Sequence, residues 1–138
     1  MSSPASRMAS RRRLLVWLLV ITPLGIASKA YAGPGEAWVN TSSGGVLYVV
    51  FWTLVAAWLV PGTSTRRLAA VVLAVTCALE TLQLWHPPFL DRIRATYLGH
   101  AVLGSTFSWW DYPHYVLGAL LGAGAVETTR LVRDADGS

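Results

Sequence analysis

Leu68-Ala-Ala-Val-Val-Leu-Ala-Val-Thr76-Cys77-Ala-Leu-Glu80-Thr-Leu-Gln83 is an apolar run that closes on a carboxylate. Without Glu80 the segment reads as an ordinary membrane helix. An ionisable residue at a helix centre costs roughly 2.5–3.5 kcal/mol on insertion scales, so it usually has a partner and often a task. Thr76, Glu80 and Gln83 recur at spacings of four and three, which places them on one helix stripe. The opposite face is Leu, Val and Ala, suited to lipid. Packing alone accounts for such a stripe as an interhelical polar clamp, with Glu80 ion-paired to Arg92 or Arg94. The functional account makes the carboxylate a proton acceptor or ligand contact in a polar cavity.

Three further apolar blocks flank this one: Leu14 to Ala27, Gly44 to Val60 and Tyr112 to Val126. Each is near the lower limit of about 17–20 residues for a spanning helix. Pro61-Gly62 ends the second block. Leu98 to Phe107 is short and contains Gly99, His100 and Gly104, which suits a re-entrant or interfacial segment. A fifth crossing from Ala95 to Trp110 is the alternative.

The whole composition agrees with this class. Apolar residues make up 54% of the 138-residue chain and charged residues 13%, against about 25% charged in soluble domains. The mean hydropathy is +0.47 and the pI near 9.7. The basic residues flank apolar blocks and form no continuous patch, which argues against nucleic acid as a partner. The expected fold is therefore all-α: a polytopic transmembrane helical bundle with four spans and the short re-entrant or interfacial segment. Residues 1–13 form a basic N-terminus, 14–129 one transmembrane domain and 130–138 a tail.

Charge bias orients the bundle. With the N-terminus inside, Arg7, Arg11, Arg12, Arg13, Arg66, Arg67, Arg130 and Arg133 are cytoplasmic, against Lys29, Arg92 and Arg94 outside. That is the positive-inside pattern, and it expects a multi-pass inner-membrane protein with both termini cytoplasmic. Trp85, Tyr97, Trp109, Trp110 and Tyr112 would form an aromatic belt at the outer interface. A rival reading of the N-terminus is a secretory signal: three arginines, an apolar run and Ala30-Tyr31-Ala32 before Gly33.

In the fourth block Asp111, His114, Tyr115, Gly118 and Gly122 share one face. Gly118-Ala-Leu-Leu-Gly122 is a GxxxG, which lets another helix approach closely. Asp111 stands two residues ahead of Pro113, where it also makes a good N-cap. His100 and His114 have no ligand-type partners at metal spacing, and neither a phosphate loop nor a nucleophile elbow occurs. No metal and no cofactor are expected.

Glu80-x-x-Gln83-Leu84, Leu90-Asp91-x-x-Arg94-Ala-Thr96-x-Leu98-Gly99, Leu103-Gly104-x-x-Phe107-x-Trp109-x-Asp111 and Tyr115-x-x-Gly118 resemble the small membrane-protein family of unknown function DUF 2809. The resemblance runs from about Leu14 to Val126, with Gly25-Ile-Ala-Ser28-Lys29 matching the end of the first helix. The chain departs from that pattern at Gly45, where an acidic residue often follows a glycine. More loosely, Glu80-x-x-Gln83 with Asp111-x-x-x-Tyr115-x-x-Gly118-x-x-x-Gly122 is similar to the VanZ-like family, in which an asparagine is usual at the position of Tyr115. That family is associated with resistance to a glycopeptide antibiotic. Neither resemblance implies a reaction.

The expected function is binding, or modifying, a polar or anionic lipid or envelope-precursor headgroup at the outer leaflet. Arg94 with Arg92 would hold the anion, because guanidinium suits phosphate and carboxylate. Glu80 and Asp111 are the catalytic candidates; Gln83, His114 and Tyr115 complete the binding set. The alternative is a non-catalytic membrane subunit whose polar residues lock helices together. Membrane lipids, and other membrane proteins, are the expected partners.

Overall fold

Among the described residues four long helices, three short ones and a π-helical turn account for the apolar blocks and what lies between them. The computed structural model describes residues 4–104 and 107–136. Helix α1 spans Pro4–Ala30, continuous through Pro23. Helix α2, Glu36–Trp38, passes through a π-helical turn, Val39–Ser43, into α3, Gly44–Leu59. After Pro61-Gly62, α4 runs Thr65–Leu82, its N-cap Ser64 accepting from Arg67 N. Short α5 (Pro88–Arg94) and α6 (Tyr97–Leu103) lead to α7, Asp111–Asp136. The described residues contain no strand.

By length and composition two helices can cross a membrane, residues 7–30 and 36–59. The stretches diluted by charge are α4, which carries Arg66, Arg67 and Glu80, and α7, which opens with Asp111, Tyr112, Pro113 and His114.

A fifth crossing from Ala95 to Trp110 does not form. Helix α6 has seven residues and ends at Gly104, whose φ is 68°. At about 1.5 Å per residue it reaches roughly a third of the hydrocarbon thickness. Ser105 and Thr106, within the expected interfacial stretch, lie outside the described residues. Helix α5 is an element the sequence reading omitted; Pro88 at its first turn was the available signal.

α3 and α7 form the central pair, with α1 and α4 packed against both. Toward the end where the chain starts, Leu14, Val50, Leu54, Ala57, Leu68 and Val126 form one apolar cluster. Toward the other end Val49, Tyr115 and Ala119 form a second, smaller one. The α3–α7 approach is set by glycine. A Cβ on Gly118 would lie 2.6 Å from the Val46 carbonyl oxygen, and one on Gly122 would lie 3.0 Å from Thr53 Cβ. Gly118→Ala is therefore expected to push the helices apart and cost about 1–3 kcal/mol of stability in detergent. Gly124→Ala, with nothing within 4 Å, should be neutral or gain up to about 1 kcal/mol from helix propensity. Thermal unfolding of the two variants checks the contrast. Equal losses would mean that the glycine contact is not close.

Candidate functional site

At the end of the bundle away from the termini, α4, α7, the π-helical turn and α6 surround a cavity of about 670 Å³. The α4 stripe points into it. Thr76, Glu80 and Gln83 are 5%, 1% and 7% exposed, whereas Val71 and Val75 on the opposite face are more than half exposed. Glu80 is held on both oxygens: Tyr115 Oη donates to Oε2 at 2.6 Å and the Ser108 amide donates to Oε1 at 2.8 Å. Bonds to an ionised acceptor are short and strong, so this carboxylate joins α4, α7 and the segment before α7.

The expected Glu80–arginine pair is corrected here. Arg94 is buried, but its guanidinium faces the end of α4, donating to Leu82 O and Trp85 O at 2.9 Å each and to Asp91 Oδ1 at 3.1 Å. The last carbonyls of a helix have no partner inside it; the guanidinium supplies one to Leu82 O, the last residue of α4, and holds the following turn through Trp85 O. Arg92 is exposed. Neither arginine lines the cavity, so neither holds an anion there. Its cation is Lys29, at the end of α1, whose Nζ donates to Asn40 O at 2.9 Å.

Gln83 donates through Nε2 to Leu103 O at 2.9 Å, and its Oε1 is buried without a partner. Close packing against Gly104 fixes the amide: a Cβ there would fall 2.4 Å from Gln83 Nε2. Tyr48 Oη donates to Val102 O at 2.9 Å, so α6 is tied across the cavity from two sides. Asp111, the first residue of α7, is half-buried and lines the cavity. It stands before the apolar run of α7. Burial first, and then the Glu80 carboxylate, push its carboxyl above the usual range, while His114 and Lys29 pull it back.

His114 is placed behind this cavity and is used structurally. Trp38 Nε1 donates to its Nε2 at 3.2 Å, so its Nδ1 carries the proton that bonds Trp110 O at 2.8 Å. Tyr115 contacts the cavity and also accounts for Gly45: a Cβ on Gly45 would meet the tyrosine ring at 3.0 Å. The ring occupies space that a side chain at 45 would enter.

Several lining groups escaped the sequence reading: Lys29, Asn40, Thr41, Ser42, Tyr48 and Ser108. A signal existed in Asn40-Thr-Ser-Ser43, a polar run opening a charge-free apolar block. π-Helical turns concentrate at functional sites. This one is stabilised by side-chain bonds back along the helix, Thr41 to Ala37 O and Ser43 to Val39 O.

Among the described residues the cavity thus combines two carboxylates, one ammonium, the His100 imidazole and the Gln83 amide. No solved structure matches the chain. The family model described as "Protein of unknown function (DUF2809)" matches residues 35–119, a stretch that includes the cavity walls from the π-helical turn to Tyr115. Since that match covers more than half of the sequence, the chain belongs to this family of uncharacterised proteins.

Proposed function

We propose that the chain is a four-span inner-membrane protein, both termini cytoplasmic, whose outer-end cavity binds a lipid or envelope-precursor headgroup bearing an amine. Its membrane setting is supported by the apolar residues left exposed on three helices, among them Leu19, Ile26, Val71, Val75, Leu120 and Leu121. Patches of this kind on a soluble monomer rarely exceed a few hundred Å². The orientation is supported by the arginines near the chain termini and the α3–α4 turn, and by exposed Trp85, Tyr97, Trp109 and Trp110 at the other end.

One observation carries the ligand class: Glu80, Asp111 and Gln83 line the cavity, and among the described residues Lys29 is the one Lys or Arg that does, with His100 beside it. Acceptors outnumber cations, so an ammonium set against the carboxylates, with a phosphate toward Lys29, matches the charges better than an anion alone. Glu80 is already engaged by Tyr115 and Ser108, which leaves Asp111 as the group able to exchange a proton with a ligand.

The second reading, a non-catalytic subunit locked by its polar residues, draws on the same Glu80 bonds. Lipid retention separates the two. Protein purified from a membrane containing phosphatidylethanolamine should retain that lipid by native mass spectrometry. Asp111→Asn should lower retention about tenfold, the scale of one lost charge-assisted hydrogen bond, at unchanged thermal stability. Equal retention in both would favour the locked subunit.

A further inference from the structure

The opposite end of the bundle holds a second cavity, about 250 Å³, that plays no part in the reading above. Arg7 and Arg11 reach it from the start of α1, and Arg130 and Arg133 from the end of α7. Its floor is apolar, with Leu14, Ala57 and Val126 all less than 5% exposed. We infer that this cavity is a binding site for a phosphate carried on an apolar tail, namely the headgroup of an anionic phospholipid.

The way the arginines are held supports this. Arg130 is anchored by neutral oxygens, donating to Thr65 Oγ1 at 2.9 Å and Thr63 O at 2.7 Å. The Arg11 guanidinium lies 5.3 Å from the centre of the Trp58 ring, a cation–π contact that fixes its position without neutralising it. Of the nearby acids, Glu127 is engaged by Thr65 and Asp134 by Arg133. Burial opposes the Arg130 charge, Glu127 favours it, and Arg133 opposes it more weakly, so guanidiniums do converge here. Basic pockets between helices on the cytoplasmic side are the usual seat of anionic headgroups. Guanidinium forks match phosphate oxygens, while the floor accepts the first carbons of the tail. The inference needs this end to face a membrane surface and is independent of what the outer cavity binds.

The test compares two double variants of equal charge in nanodiscs of phosphatidylcholine with and without phosphatidylglycerol. Arg11→Gln with Arg133→Gln removes one guanidinium from each of the two helices, α1 and α7, that bring arginines to the cavity. Arg66→Gln with Arg67→Gln removes the same charge from exposed positions at the start of α4. Native mass spectrometry reads bound phosphatidylglycerol, and circular dichroism confirms helix content. The first pair should bind about tenfold less, from two lost arginine–phosphate contacts, and the second should change little. Should the first pair fail to fold, Arg133→Lys serves instead, keeping the charge while losing the fork, and should bind about threefold less. Equal loss in both pairs, or none in either, would overturn the site. Displacement of phosphatidylglycerol by soluble glycerol phosphate at equal concentration would show that the tail contributes nothing, and would overturn the lipid assignment.

Discussion

Glu80→Ala should cost about 3–5 kcal/mol, because it strips the partner from two buried donors, each left with a desolvation penalty of about 1–3 kcal/mol. The donors are the Tyr115 hydroxyl and the Ser108 amide. Tyr115→Phe should cost less, since it removes only one bond and leaves Glu80 its bond to Ser108. The double variant should then lose clearly less than the sum, with a coupling of about 1–3 kcal/mol. The same cycle with Arg94→Ala should be additive, because Arg94 bonds the end of α4 and Asp91 instead. Urea or thermal unfolding in detergent measures both cycles. Strong coupling to Arg94, with none to Tyr115, would restore the ion-pair clamp.

Arg94→Ala itself should lose about 2–4 kcal/mol, from the carbonyls of Leu82 at the helix end and Trp85 in the following turn, both deprived of a charged donor, and from lost packing around a buried stem. The effect should be local. Helix α4 would fray at Leu82 and release α5, raising amide exchange across residues 80–95 while the α3–α7 pair stays protected. Arg94→Lys should recover only part of the loss, since one ammonium cannot fork to two carbonyls as guanidinium does. Arg92→Ala, at an exposed position, should stay within about 0.5 kcal/mol. Equal effects at 92 and 94 would contradict the capping geometry.

Patterns confined to one helix were legible in the sequence. The Thr76–Glu80–Gln83 stripe follows from helical period alone, and all three residues are buried while Val71 and Val75 face out. Four helices at the four apolar blocks follow from hydropathy and from the break at Pro61-Gly62. What was not legible depends on where chain segments meet. Charge complementarity paired Glu80 with arginine, yet the Arg94 guanidinium is taken up by Leu82 O, Trp85 O and Asp91, and the Glu80 partners came from residues 28 and 35 positions away. His114 belonged to one polar face with Asp111 by spacing, but Trp38, 76 residues distant, claims its ring nitrogen. Lys29 carries no local sign of a site; it becomes one only because α1 ends beside the π-helical turn.

The central claim is that the outer-end cavity is a headgroup site and not a void left by helix packing. The most direct measurement is an experimental structure of the protein in a bilayer containing phosphatidylethanolamine. The account predicts headgroup density in the cavity, its amine within hydrogen-bond distance of Asp111 and its phosphate toward Lys29. A cavity holding only water, with lipid ordered elsewhere around the bundle, would contradict it.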